Sequence, residues 1–303
     1  FALTADGFIV NSTSGTANSS GETYIYMCLR RPDGYVGKPP ELGTSAFNVV
    51  YGNSSSTIPN FPANFPVDMG IYKEPASTYS WYLHTRLTGG KSLKTDTSDA
   101  QNSNNDTDAT FDGNAGWGKF GYNTDKASWM WKRHAGFDVV STKGAAGGKI
   151  VPHSLGRVPE MYWLKKRNGA TANWAVYHKG LNGGTNPEQY GIDLNGSGGE
   201  VDYNGFFNDT APTATHFSLG LWGSTGITTS ADYLILLFAS VDKISKCGFY
   251  DGTGSAQTIT LGFQPRFAII RRVDGTEDNW VVLDTTRGWA SGNDKVLKLN
   301  STA

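Results

Sequence analysis

The chain has little cysteine, no excess of charge of either sign and no metal-binding motif. Its 303 residues include only two cysteines, Cys28 and Cys247, too few for a scaffold built on disulfides. Lys and Arg number 26 against 27 Asp and Glu, which gives a net charge of −1. This balance argues against nucleic acid as a partner, because binding phosphates needs a basic face.

Long apolar runs and helical periodicity are also missing. The longest apolar candidate, residues 233–239, reads YLILLFA and has the length of a buried strand. It is far shorter than the roughly 18 residues of a membrane span. No window of about eleven residues carries apolar side chains at helical spacing. We therefore expect no membrane insertion and little helix.

Glycine and aromatic residues are abundant instead. The chain has 38 Gly, nine Trp and 13% aromatic residues. Aromatic and β-branched strands joined by small polar turns have this composition, whereas disordered chains lack aromatics. Short strands at even spacing are typical of sandwiches and barrels. The sequence therefore predicts an all-β fold.

A repeat of about a hundred residues organises the chain. A proline is followed fifteen residues later by a tryptophan at Pro66 and Trp81, at Pro159 and Trp174, and at Pro265 and Trp280. A second block recurs with the same internal spacing, as GFIVNSTSGTANSSGETYIYMCLR near the start and HFSLGLWGSTGITTSADYLILLFAS later. Spacing of this size indicates domain-sized copies of one ancestral unit.

The repeats predict a domain division of half, whole, whole and half. We expect the C-terminal half of a repeat in 1–44, full repeats in 45–134 and 135–245, and the N-terminal half of another in 246–303. The joints between them are short, so we expect tandem β-sandwich-like domains, with jelly-roll or Greek-key connections, in an elongated arrangement. Because both ends fall inside a repeat, we also expect the chain to be part of a longer protein.

The clearest local prediction is a hairpin in each repeat. Asn168-Gly169 and Asp274-Gly275 stand at the same aligned position, and both dipeptides favour tight turns. Trp81, Trp174 and Trp280 open the second strand of each hairpin. A Trp at such a position in every copy is predicted to be a core residue with its indole N–H paired.

Two other tryptophans are candidates for contact with a ligand or partner. Trp117 and Trp222 lie in glycine-rich loops, AGWGKFG and GLWGSTG, at roughly equivalent positions. A Trp flanked by glycines in a loop is predicted to be exposed or at an interface. These two residues are the sequence's only weak indication of a binding site.

The sequence offers no catalytic, metal or cofactor residues. His84 and His178 follow the hairpin Trp at nearly one aligned position, and we interpret both as strand-end residues next to solvent or backbone. Residues 95–114 scatter Asp and Asn without the spacing of a calcium loop, which indicates a surface loop. No nucleophile elbow, phosphate loop or carboxylate-pair signature occurs.

Several strings of the sequence carry a resemblance to a known family, namely FDVVSTKG, HSLGRVPEMYWLKKR, NWAVYHKGL, DYLILLFASVDKISKCGFYDGTGSAQTITLGF and the joint SWMWKRHAGFDVV. With them the sequence resembles the uncharacterised repeat domain of marine, cyanophage-like bacteriophage tail-fibre and virion structural proteins. The resemblance covers nearly the whole chain, strongly in 137–303 and more weakly in 53–125. It implies a structural protein and supplies no catalytic residues to carry over.

From this resemblance we expect a non-enzymatic virion protein, part of a tail fibre or similar appendage on the extracellular particle. Its partners would be other virion proteins and further copies of the chain, a trimer being the first candidate. One alternative is a carbohydrate-binding adhesin that contacts host-surface glycan through loop aromatics. Others are a capsid-attached fibre or decoration protein, and a depolymerase, whose carboxylates would converge only in three dimensions.

Overall fold

The computed structural model describes residues 2–3, 7–11, 18–30, 43–55, 58–102, 109–119, 121–203, 205–220, 228–275, 278–289 and 294–303. Strand is the dominant secondary structure of these residues, so the predicted all-β class is confirmed. Three short 3-10 helices occur within them, at Gly43–Ser45, Leu181–Gly184 and Pro187–Gln189. No helix in the described part of the chain has the length and hydropathy to cross a membrane.

The described strands form three groups, one of which combines the first three strands of the chain with the last five. The N-terminal strands are β1 Ala2–Leu3, β2 Gly7–Val10 and β3 Thr23–Arg30. The next seven are β4 Phe47–Tyr51, β5 Phe61–Pro62, β6 Met69–Lys73, β7 Tyr82–Thr85, β8 Leu93–Lys94, β9 Gly116–Trp117 and β10 Ala127–Trp131.

The remaining strands fill the second half of the chain. Those of the third predicted segment are β11 Phe137–Lys143, β12 Lys149–Pro152, β13 Met161–Lys166, β14 Ala175–His178, β15 Tyr190–Asp193, β16 Val201–Asp202, β17 His216–Leu219 and β18 Asp232–Phe238. The last strands are β19 Ser245–Asp251, β20 Gln257–Thr260, β21 Pro265–Arg272, β22 Val281–Asp284 and β23 Leu297–Lys298.

Three antiparallel sheets repeat one strand order. The sheets run β4-β10-β6-β7-β8, β11-β18-β13-β14-β15-β16 and β19-β3-β21-β22-β23. In each sheet one strand is inserted between two strands that are close in sequence. Strand β10 lies between β4 and β6, β18 between β11 and β13, and β3 between β19 and β21. A short ribbon accompanies each sheet, namely β5-β9, β12-β17 and β1-β2-β20. We call each sheet with its ribbon the first, second and third unit in this order.

The third unit is assembled from both ends of the chain. Strand β3 pairs with β19 through Met27 opposite Cys247, and with β21 through Met27 opposite Ile269. Strand β2 likewise pairs with β20, with Phe8 opposite Ile259. The segments 1–44 and 246–303 therefore contribute to one sheet. The boundaries of the four predicted segments remain a prediction.

The predicted hairpins are confirmed. Strands β13 and β14 pair with Trp163 opposite Val176, and β21 and β22 pair with Ile269 opposite Val282. Gly169 takes a φ of 78°, a left-handed conformation that suits glycine, in the Asn-Gly turn predicted for the first of these hairpins.

One hydrophobic core lies between the inner faces of all three sheets. Alternate residues of each inserted strand point into it. The fully buried members of this shared core include Trp129 and Trp131 of β10, Leu234 and Leu236 of β18, and Ile25 and Met27 of β3. The intervening residues, such as Tyr233, Ile235 and Leu237 of β18, point outward into a separate smaller core beneath the ribbon. This two-sided burial explains why 233–239 is apolar throughout.

The elongated arrangement is not confirmed. The second unit has an outer core of its own, and so do the third and first. The inner face of every sheet, however, belongs to the shared core, so the three units do not enclose separate interiors on that side. The physical reason is that each central sheet is apolar on both faces, and a unit standing alone would leave one of them in water.

Candidate functional site

The three repeated tryptophans join neighbouring units. Trp81, Trp174 and Trp280 are at most 1% exposed, so their prediction as core residues is confirmed. The indole Nε1 of Trp174 donates to the carbonyl oxygen of Lys94 at 2.8 Å, from the second unit to the first. Trp280 donates to Asp193 at 3.0 Å, from the third unit to the second.

Trp81 completes the ring of contacts. Its Nε1 donates to the carbonyl oxygen of Lys298 at 2.8 Å, from the first unit to the third. Each hairpin Trp thus donates to the backbone of the preceding unit, with the third unit preceding the first, and the acceptor lies on the equivalent strand each time. The sequence predicted a paired indole but not that the acceptor lies in a neighbouring repeat.

A buried cation lies over each of these indoles. The charged groups of Lys73, Lys165 and Arg271 lie 5.8, 5.6 and 5.8 Å from the ring centroids of the Trp in their own unit. Cation–π contacts of this kind gain strength when they are shielded from water. Burial lowers the pKa of Lys165 to about 8, so this ammonium is still protonated at neutral pH.

These cations also donate to carbonyl oxygens at the joints. Lys73 Nζ donates to Thr302 O of the third unit at 3.1 Å, and Arg271 Nη2 to Gly198 O of the second at 2.5 Å. Lys165 donates within its own unit, to Ala172 O at 2.6 Å. The sequence indicated only a strand that becomes polar at its end. The missed signal was a basic residue six or seven positions after the repeat proline in every copy.

A buried ion pair occupies the other end of the third hairpin. Asp284 Oδ2 lies 2.6 Å from Arg287 Nε, and both side chains are at most 3% exposed. The same carboxylate accepts a hydrogen bond from Trp129 Nε1 of the first unit at 3.1 Å. The Arg287 guanidinium lies 5.4 Å from the centroid of that Trp129 ring. This pair therefore links the third unit to the first.

The two hairpin histidines differ from their predicted arrangement. His178 lies opposite Met161 and His84 opposite Gly70, so the two residues are one register position apart. Both side chains are fully buried, so the expectation that they lie next to solvent is wrong. The backbone contact was correct for His178, whose Nδ1 accepts from Gly180 N at 2.9 Å.

His178 is expected to make the protein less stable in acid. Burial lowers the pKa of His178 from 6.5 to about 3. Between these values the unfolded chain binds a proton that the folded chain does not, so the free energy of unfolding falls as pH falls. The contribution is about 1.4 kcal/mol per pH unit, or about 2 kcal/mol between pH 7.5 and 5.

Urea unfolding of wild type and His178→Phe at both pH values measures this contribution. The variant should lose about 2 kcal/mol less than wild type on acidification. His216→Gln, at an exposed position, is the control and should follow wild type. Equal losses in wild type and His178→Phe would show that His178 is not held neutral by the fold.

Trp117 is buried, so the prediction of an exposed loop Trp is wrong at this position. The residue is 1% exposed, and its Nε1 donates to Ser128 Oγ at 3.0 Å. Its ring stacks on Phe111 with centroids 5.3 Å apart and an interplanar angle of 14°. The indole lies against the outer face of the first sheet, where Gly70 leaves room for it.

Gly70→Ala is expected to displace the Trp117 indole. A Cβ built at Gly70 overlaps that indole, and overpacking of this kind costs about 1–3 kcal/mol. Urea unfolding measures the loss. Gly198→Ala is the matched control, because a Cβ there meets nothing within 4 Å. Equal stability of the two variants would contradict the packing of Trp117 on the sheet.

The sequence also singled out Trp222, the two cysteines and the loop 95–114. Trp222 lies outside the described residues. Cys28 and Cys247 are free and buried, and their side chains enter different cores. The described part of 95–114 contributes to no group of three or more His, Cys, Asp or Glu able to hold a metal, and no such group occurs elsewhere in the described ranges.

A polar groove lies beside the joint between the first and second units. Its volume is about 320 Å³, and the described residues that line it are Tyr82, Ser92, Lys94, Asp99, Ala100 and Asn102. Tyr82 and Lys94 are register partners on β7 and β8. Their neighbours Leu83 and Leu93 point into the shared core, so Tyr82 and Lys94 point outward. No sequence signal singled out these residues.

The fold and its joints define an all-β protein in which three copies of one sheet close around a single interior. The chain belongs to the family described as domain of unknown function DUF7483, whose model matches residues 90–303. The matched part contains the whole second unit and the C-terminal strands of the third. No curated protein matches the chain.

Proposed function

We propose that this chain is a non-enzymatic structural domain of a bacteriophage virion, part of a tail fibre or similar appendage. The observation that carries the structural role is the set of joints between units. The tryptophans and buried cations that recur in every repeat are engaged in holding the three sheets together. Groups conserved between the copies of one chain in this way serve the scaffold.

The ionisable groups with shifted pKa values support the same proposal. His178 and Cys247 are fully buried side chains inside the fold, and burial is the first cause of the shift in each. Tyr162, whose pKa burial also raises, lies in the outer core of the second unit. An active site would instead place such groups together in a cleft. We therefore expect no release of reducing ends when the protein is incubated with host polysaccharide.

The assignment to a virion rests on the resemblance to phage structural proteins. Within it, a capsid-attached fibre or decoration protein is the alternative location. Self-association as a trimer stays a prediction. The large aromatic side chains of the central sheets are buried inside one chain, so an oligomer would use other surfaces.

The adhesin alternative loses one of its two candidate sugar-contact residues. Trp117 is packed in the first unit's outer core and cannot stack on a sugar. Trp222, outside the described residues, is the loop aromatic that this alternative retains.

Immunogold electron microscopy of the phage particles tests the proposal. Antibody raised against this chain should label an appendage on intact virions, and the same antibody absorbed with purified protein should not. Labelling at the tail or at the head decides between the two locations. Protein found only in the particle-free fraction of the lysate would contradict a structural role in the virion.

A further inference from the structure

We propose that the groove beside Tyr82 binds a neutral saccharide of one or two hexose rings. Its volume of about 320 Å³ is at the small end of the range of about 300–1000 Å³ for ligand pockets. This size suits a mono- or disaccharide. The inference does not depend on the virion assignment, because it rests only on the residues that line the groove and on the contacts that hold them.

One wall of the groove offers an aromatic surface. The Tyr82 ring stacks against Tyr72 with centroids 5.1 Å apart and an interplanar angle of 13°, which fixes its orientation. A held tyrosine is a platform for the C–H face of a pyranose ring, since aromatic rings supply rigid, amphipathic contact area. By register, the equivalent residues of the second and third units are Ala175 and Val281, so this platform is particular to the first unit.

The polar groups of the groove match hydroxyl groups. Lys94 supplies donors and Asp99 acceptors, and their side chains lie 3.6 Å apart while remaining 36% and 56% exposed. The hydroxyl of Ser92 can both donate and accept. Sugar hydroxyls also do both. Among the described lining residues, Lys94 and Asp99 are the one cation and the one anion, and each balances the charge of the other. This pairing favours a neutral sugar.

Backbone hydrogen bonds hold the described segment that carries Asp99, residues 95–102. Asn102 N donates to Ser92 O at 2.9 Å on one side. On the other side it is tied to the second unit, where Gln101 N donates to Arg167 O at 2.8 Å and Ala172 N to Ser98 O at 3.0 Å. The groove is therefore formed before any ligand arrives, which lowers the entropic cost of binding.

Saturation-transfer NMR and calorimetry with glucose, galactose, mannose, N-acetylglucosamine and their disaccharides test the inference. We expect at least one to bind with a Kd of about 1 mM or tighter, as befits a ligand of this size. Tyr82→Ala and Asp99→Ala should each weaken binding at least about tenfold, a change that a single stacking or charged contact accounts for. Tyr82→Phe, which keeps the ring, should bind like wild type.

The controls separate the groove from the rest of the surface. Tyr79→Ala removes a 64% exposed tyrosine from the preceding turn, outside the groove, and should leave binding unchanged. Asp99 is exposed, so Asp99→Ala tests the site without disturbing the fold. The inference is overturned if wild type binds none of these sugars. It is equally overturned if binding survives either Tyr82→Ala or Asp99→Ala.

Discussion

Deletion of residues 1–30 is expected to unfold the entire chain, although it removes only a tenth of the sequence. Strand β3 lies in the middle of the third sheet, with seven register pairs to β19 and seven to β21. Within 1–30 the described buried hydrophobic residues are Phe8, Val10, Tyr24, Ile25, Tyr26, Met27 and Cys28. Their burial contributes about 10 kcal/mol or more. That is comparable to the whole net stability of a domain, about 5–15 kcal/mol.

The loss should spread beyond the third unit. Ile25 and Met27 belong to the shared core, so their removal exposes the inner faces of the first and second sheets as well. Circular dichroism and gel filtration of residues 31–303 should find no cooperative thermal transition and extensive aggregation. A string of independent domains would instead lose only its damaged end and keep the first two units folded.

A cleaved chain is the matched control for this deletion. A specific protease site placed between residues 31 and 42 allows the same segment to be cut from the folded protein without being removed. The two fragments should elute together from gel filtration and separate only in urea, because β2 and β3 hold them together. Separate elution in native buffer, with the larger fragment still folded, would contradict the closure of the third unit.

Asp284→Ala is expected to destabilise the protein by about 3–5 kcal/mol, because it leaves the Arg287 guanidinium buried without its counter-ion. Asp284 also accepts hydrogen bonds from Arg287 N at 2.9 Å and from Trp129 Nε1 at 3.1 Å. Truncation leaves these donors in a dry interior. The effect reaches the joint between the third and first units, since Trp129 belongs to the first.

The free energy of unfolding of Asp284→Ala, measured in urea, is compared with those of two further variants. In the double variant Asp284→Leu with Arg287→Met no charge is left unpaired, so it should be more stable than Asp284→Ala. Lys143→Ala disrupts an exposed pair with Asp232 at 3.8 Å and should cost no more than about 1 kcal/mol. If Asp284→Ala costs no more than Lys143→Ala, the buried pair does not stabilise the joint.

The sequence was sufficient to predict the local elements. Turn chemistry at Asn168-Gly169 and the recurrence of Trp174 and Trp280 located the hairpins and their core residues, because both signals act within a few residues. The all-β class followed from composition and from the absence of helical periodicity. These properties depend on the backbone and on burial within one unit.

The assembly of the units was not predicted, since a repeat shows how units follow one another and not which faces meet. The available signal was the run at 233–239, apolar on both faces of a strand, which requires a core on each side. Trp117 was misread for a related reason. Its glycine neighbours suggested a loop at the surface, whereas the decisive glycine, Gly70, lies on a neighbouring strand.

The groove depended on contacts that no linear pattern reveals. Tyr82 and Lys94 meet through the register of β7 and β8, and Asp99 reaches them because its loop is tied to the second unit. In the sequence, Tyr82 is one of several strand tyrosines, and Lys94 and Asp99 are separated polar residues that form no motif.

Amide hydrogen exchange in increasing guanidinium measures the central claim most directly. Strands β3, β10 and β18 are each the inserted strand of one sheet, flanked by two neighbours and lining the shared core. Three units around one interior should unfold as one body, so the slowest amides of the three strands should open with one common free energy and one common denaturant dependence. If β18 keeps its protection at denaturant concentrations where β3 and β10 have lost theirs, the second unit folds alone and the account is wrong.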